Sequence, residues 1–241
     1  MKKLVAILLA VLLCLPLGIW GEENSPVKSP LVIAGYPAPD VPWGESVDAS
    51  YFEDAIFIGD SLAEGLSLSG LMPGLEFITK IGQSANGVVK NRVYKYDGKT
   101  VRMIDILKDK QPGKLYIWLG SNGVDKYTPE YVLPSYEAML DLFISELPDT
   151  IIYCVALAPV IQRRAQRQYP KMTNARIHAF NDLIAAAAKE RNVYYLPVSI
   201  ALMNEDGGLD KDLSAGDGIH LSKEGYQKIS DFLHKFTIPY E

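Results

Sequence analysis

Two cysteines, three histidines and three tryptophans are all that the 241 residues hold of these types. So few thiols exclude a disulfide-stapled scaffold and a thiol-rich metal site, because Cys14 falls in an N-terminal apolar stretch and only Cys154 serves the rest of the chain. Cys154 stands in Ile151-Ile152-Tyr153-Cys154-Val155-Ala156, which reads as a buried strand and makes the thiol a small core residue rather than a nucleophile. A basic surplus is missing too. Lys and Arg number 24 against 29 Asp and Glu, a net charge of −5, and no basic face emerges, so nucleic acid is not an expected partner. The acidic loop Glu205 to Asp212 lacks the D-x-D-x-D-G order and the distal glutamate of a calcium loop, so it reads as a solvated turn and no metal is expected. There is no internal repeat and no low-complexity tract.

What is present describes a globular protein with an N-terminal extension: 48% of residues are hydrophobic and 22% charged. Met1-Lys2-Lys3, an apolar run from Leu4 to Leu15, then Pro16 and Gly18 have the layout of a secretory signal peptide over residues 1–21. Cleavage after Gly21 would remove two lysines and move the net charge from −5 to −7. Leu4 to Trp20 is short and broken for a span of about 20 residues, so no stable membrane insertion is expected once the peptide is cleaved. Leu13 stands where a lipoprotein signal would need a small residue before Cys14. The protein is therefore expected to be secreted or associated with the cell envelope. Residues 22–47, rich in Pro, Gly and Ser, read as a linker, and 48–241 as one domain.

Within the domain, strand-like runs at Ala55 to Ile58, Glu76 to Ile81, Lys114 to Leu119, Thr150 to Ala156 and Val193 to Pro197 alternate with helical patterns. Thr173 can cap a helix with Ile177, Phe180, Ile184 and Ala187 on one face. Ser222 can cap another presenting Tyr226, Ile229, Leu233 and Phe236. Such alternation implies a parallel sheet with helices on both faces, whose ligands bind at the carboxyl ends of the strands.

Two strings carry the chemistry: Gly59-Asp60-Ser61-Leu62 after the first strand, and Asp217-Gly218-Ile219-His220 before the last helix. A serine hydroxyl is a poor nucleophile unless an imidazole takes its proton, and a carboxylate fixes the tautomer of that imidazole. Ser61, His220 and Asp217 supply all three groups. Acid and base lie on one loop, and no G-x-S-x-G elbow surrounds Ser61, which departs from the alpha/beta-hydrolase pattern. The chain instead resembles the SGNH, or GDSL, hydrolases. Four blocks fall in order across roughly residues 52 to 237: GDSL at Ser61, a glycine in Ile81-Gly82-Gln83-Ser84, an asparagine in Leu119-Gly120-Ser121-Asn122, and the D-x-x-H ending at His220.

The resemblance implies a three-layer α/β/α sandwich, flavodoxin-like, with a five-stranded parallel sheet. It also implies that Ser61 attacks an ester carbonyl, His220 acts as base and Asp217 orients it. The backbone N–H groups of Ser61 and Gly82 and the side-chain amide of Asn122 would hold the oxyanion, a task suited to an unhindered amide and a carboxamide. One departure is Gly123, where the family usually carries an acidic residue after the asparagine; local loop shape is what this change bears on.

The remaining histidines, His178 and His234, each follow a core-facing residue on a helix and are expected to be solvated. The run Gln162 to Lys171 reads either as a solvated loop or as a recognition element for a polar substrate. Tyr94, Tyr96, Tyr127 and Tyr131 follow the second and third blocks, where rings can stack on sugars, although packing would account for any one of them. The expected activity is that of an exported serine esterase, free of cofactor and metal, acting on short acyl esters, acetyl foremost, of a small molecule or glycan. An acyltransferase that moves the acyl group to a sugar hydroxyl, and a non-catalytic glycan-binding module, are the alternatives.

Overall fold

The structure is a computed structural model that describes residues 38–239. The expected signal peptide and the first part of the expected linker lie outside these residues. Five strands form one parallel sheet: β1 (Ala55–Gly59), β2 (Glu76–Thr79), β5 (Lys114–Trp118), β6 (Ile151–Val155) and β7 (Tyr194–Leu196), in the order β2-β1-β5-β6-β7. Every residue of β1, β5 and β6 is buried, as expected where helices cover both faces of a parallel sheet; the one charged member, Lys114, pairs with Asp54. The pair β3 (Tyr94–Tyr96) and β4 (Lys99–Val101) makes a separate antiparallel hairpin through Asp97 and Gly98, both at positive φ.

The helices are α1 (Ser61–Ser69), α2 (Ala85–Lys90), α3 (Met103–Lys110), α4 (Ser121–Val124), α5 (Pro129–Glu146), α6 (Gln162–Ala165), α7 (Asn174–Glu190) and α8 (Lys223–Lys235). α1 packs with α8, whereas α5 contacts α2, α3 and α7, giving a layer on each face of the sheet. The cap readings hold: Thr173 accepts from the Arg176 N–H and Ser222 from the Gly225 N–H, and the buried faces of α7 and α8 include Ile177, Phe180, Ile184, Ala187, Tyr226, Ile229 and Leu233. Phe236 differs, since it follows the last turn of α8 and stacks on Phe232 at 3.9 Å.

An aromatic ladder crosses the sheet. Phe77, Phe57, Tyr116, Tyr153 and Tyr194 are register partners on successive strands, with ring centroids 5.5, 5.7, 4.6 and 5.7 Å apart. Cross-strand aromatic pairs of this kind add to the area they bury, and here they fix the register of all five strands at one level.

Residues 38–47, expected to close the linker, instead dock on the domain. The Tyr195 N–H donates to the Pro39 carbonyl at 2.8 Å, and the Gly44 and Val47 N–H groups donate to the Lys235 and His234 carbonyls, each at 2.9 Å. Val41 is buried and Trp43 sets its edge on Phe236 at 4.9 Å. Apolar anchors within a Pro/Gly-rich composition account for the difference. The two further histidines also depart from expectation. Both are half-buried: His178 Nε2 lies 2.9 Å from the Gly207 carbonyl, and His234 Nδ1 lies 2.8 Å from the Ser230 carbonyl with its ring against Phe52. Loop and aromatic neighbours from distant sequence cover positions that the helical period alone places at the surface. Among the described residues, no helix is long and apolar enough to cross a membrane.

Candidate active site

The sheet changes winding direction between β1 and β5, since β1 leads outward to β2 and the chain then returns to β5 on the other side. That switch point opens a crevice at the carboxyl ends of the two strands. Ser61 follows β1 and Asn122 follows β5, so both flank it. The turn out of β1 leaves no space for a side chain: a Cβ on Gly59 would sit 2.4 Å from the Ala63 Cβ and 2.8 Å from the Trp118 carbonyl. Asp60 then caps α1 by accepting from the Leu62 N–H at 3.0 Å, which places Ser61 at the first helical position.

Asp60 is 1% exposed, and its second carboxylate oxygen accepts from Ser121 Oγ and, at 2.8 Å, from Asn122 Nδ2. Burial pushes the Asp60 carboxyl up, while the hydrogen bonds from Ser121, the Leu62 N–H and Asn122 oppose that rise. Asn122 Nδ2 also donates to the Gln83 carbonyl at 3.2 Å, so one carboxamide ties the loop after β5 to both the serine turn and the loop after β2. Gly82 lies in that last loop at φ +74° with open space beside its Cα. Among the described residues, the N–H groups of Ser61 and Gly82 have no protein acceptor.

The histidine comes from the other end of the chain. Asp217 Oδ1 accepts from the Ile219 and His220 N–H groups at 2.8 and 2.9 Å, closing a tight turn, and Asp217 Oδ2 lies 2.6 Å from His220 Nδ1. With Nδ1–H donating to the carboxylate, Nε2 is left as an acceptor, and it lies 3.0 Å from Ser61 Oγ. Burial pushes the Asp217 carboxyl up, but hydrogen bonds from the His220 ring and the two amides outweigh it and hold the group below the ordinary carboxylate range.

The basic run after β6 supports this loop. The Ile161 N–H donates to the Gly218 carbonyl at 2.8 Å, Arg164 Nη1 donates to the Gly216 carbonyl at 3.3 Å, and a Cβ on Gly218 would strike the Ile161 carbonyl at 2.9 Å. Tyr169 and Met172 from the same segment join Leu62, Ile219, Ser61 and His220 around a cavity of about 40 Å³. The structure thus brings Ser61, Asp217, His220 and Asn122 together, with Gly82 on the loop that Asn122 holds. Sequence reasoning gave no role to Asp60, Gln83 or Ser121. The signal for Asp60 and Ser121 stood in the blocks themselves, as the polar neighbours of Ser61 and Asn122, whereas Gln83 acts through its backbone and leaves none.

Residues 57–228 match the model of the GDSL-like lipase/acylhydrolase family. The chain belongs to that family. It is an ester-hydrolysing enzyme of the esterase and acylhydrolase type. Solved structures with the same fold include a GDSL-like lipase from Bacteroides thetaiotaomicron, 18% identical with a TM-score of 0.57, covering 75% of this chain and 86% of that one. A member of the lipolytic G-D-S-L family from Veillonella parvula is 14% identical with a TM-score of 0.52, covering 74% and 94%. A carbohydrate esterase family 3 protein from Talaromyces cellulolyticus is 15% identical with a TM-score of 0.53, covering 75% and 93%. A search of curated proteins found no match.

Proposed function

We propose that this GDSL acylhydrolase is an exported serine esterase that removes short acyl groups, acetyl foremost, from carbohydrate or cell-envelope glycan. The observation that carries the mechanism is the unbroken line from Asp217 through His220 to Ser61, at 2.6 and 3.0 Å. Ser61 Oγ attacks the ester carbonyl carbon as its proton passes to His220 Nε2, and the carbonyl oxygen becomes an oxyanion. The free N–H groups of Ser61 and Gly82 and one N–H of Asn122 receive that charge; for Asn122 the longer bond, to the Gln83 carbonyl, is the one exchanged. The tetrahedral intermediate collapses, the C–O bond to the alcohol breaks, and His220 returns the proton to the leaving oxygen. Water then attacks the acyl-serine by the same route, releasing the acid and restoring Ser61.

Size supports a short acyl group, since the cavity of about 40 Å³ beside Ser61 has room for a few non-hydrogen atoms. The likeness to a carbohydrate esterase is consistent with a glycan as the alcohol component. Export rests on the N-terminal Met1 to Gly21 pattern. Ser61→Ala is expected to abolish nearly all turnover while keeping the fold, and a fluorophosphonate should form its adduct on the peptide containing Ser61. Labelling elsewhere with Ser61 untouched would defeat the mechanism. Clear preference for octanoyl over acetyl esters of one alcohol, with no acetate released from acetylated glycans, would overturn the substrate reading alone.

A further inference from the structure

A second cavity, of about 370 Å³, adjoins the site and shares Asn122 with it. Its size falls in the range of small-molecule sites, about 300 to 1,000 Å³. Tyr127 and Tyr131 form one side. They are 51% and 69% exposed, and their ring centroids lie 4.8 Å apart with planes 30° from each other, so together they present a broad aromatic surface. The turn between α4 and the start of α5 holds this surface in place: the Tyr127 N–H donates to Gly123 at 2.9 Å and the Tyr131 N–H to Thr128 at 3.1 Å. A Cβ on Gly123 would approach Val132 to 2.8 Å, so α4, which carries Asn122, lies directly on α5. The backbone that carries the two rings is therefore packed against the helix that carries Asn122.

The rest of the lining includes the polar side chains of Ser84, Asn86 and Lys126, and of Ser135, which lies one helical turn after Tyr131 on α5. Asn86 makes no side-chain hydrogen bond among the described residues and can both donate and accept. A fatty acyl chain would offer the Asn86 amide no partner. A sugar ring suits this lining, because its C–H face can lie on an aromatic ring while its hydroxyls reach the amide and hydroxyl side chains. Lys126 Nζ lies 3.7 Å from the Asp125 carboxylate and donates to the Asn122 carbonyl at 3.5 Å.

We propose that the Tyr127–Tyr131 cavity is a subsite for a sugar ring of the glycan whose ester reacts at Ser61. The inference rests on the glycan esterase reading above. Its test uses the full chain and two measurements. The first is binding of unesterified xylohexaose and cellohexaose to Ser61→Ala, alone and combined with Tyr127→Ala and Tyr131→Ala. At least one of the two oligosaccharides should bind, with at least a tenfold rise in Kd in the combined variant, and Phe at both positions should restore most of the affinity. The second is the ratio of kcat/KM for the acetylated oligosaccharides to that for ethyl acetate, which should fall at least tenfold in the double alanine variant, chiefly through KM. No binding by the parent, a Kd unmoved by the tyrosine changes, or an unchanged kcat/KM ratio in the double alanine variant would overturn the subsite. Tyrosine-dependent binding with no release of acetate from glycan esters would uphold the subsite and remove the deacetylation reading.

Discussion

At the scale of single residues, the site depends on carboxylates doing unlike work in unlike settings. Asp217 is 42% exposed in its side chain, yet three hydrogen bonds hold it ionised below the ordinary carboxylate range. A carboxyl lowered in the folded state contributes its stabilisation above its unfolded value and loses it as pH falls through the lower folded value. Asp217 should thus stay charged through mildly acidic conditions, and carboxyl NMR should find its titration on the acid side of the ordinary range; titration on the basic side would contradict the hydrogen-bonded turn. Asp217→Asn favours the wrong imidazole tautomer and is expected to lower kcat by up to about 10⁴, read by steady-state kinetics. Asp60 is buried and touches Asn122 rather than the histidine. Asn122→Ala should cost on the order of 10² to 10³ in kcat, the usual loss for one oxyanion donor, with a smaller change in KM. Asp60→Asn, which puts an amide where the Asn122 amide needs an acceptor, should move kcat in the same direction; a variant with normal kcat would show that Asn122 needs no such anchor.

Elements set these residues by close approach as much as by propensity. The serine turn works because Gly59 lets α1 start directly against β5. Gly59→Ala would force the Ala63 side chain and the Trp118 carbonyl apart, and overpacking of this kind costs about 1 to 3 kcal/mol. A fall of several degrees in Tm and a matching loss of activity are expected; a stable, fully active variant would show that the turn has slack. The five strands were legible to within a residue or two because β1 and β6 are unbroken apolar runs and β5 is one after its leading Lys114, and α7 and α8 were legible from their caps and their 3.6-residue period. The hairpin β3–β4 was not read, although Asp97-Gly98 is a strong turn signal, because strands of three residues give too little alternation to count. The blocks holding Ser61, Gly82, Asn122, Asp217 and His220 were legible as local strings. The anchoring of Asn122 on Asp60 and Gln83 was not, since it joins three loops that are adjacent only once β2, β1 and β5 have paired. The role of the Ile161–Met172 segment in bracing the Gly216–Gly218 turn escaped sequence reading for the same reason.

For the whole molecule, one continuous core means that the site and the sheet should be lost together. Cys154 offers a probe of that cooperativity. It lies in β6, paired with Ile117 on β5 and Tyr195 on β7, and it is completely buried one residue from the aromatic ladder. Burial pushes its thiol up to about 12, so the thiolate that reacts with alkylating agents is scarce at neutral pH as well as unreachable. No fraying of a loop or terminus exposes a residue paired on both sides; only opening of the sheet does. The Cys154 peptide should therefore remain unmodified by iodoacetamide in native buffer and become alkylated in denaturant, with a midpoint that coincides with loss of esterase activity. Mass spectrometry of the digested protein reads the two states and separates Cys154 from Cys14. Alkylation of Cys154 well before activity is lost would mean that the sheet opens while the Ser61–His220–Asp217 arrangement persists, and would contradict a single cooperative core.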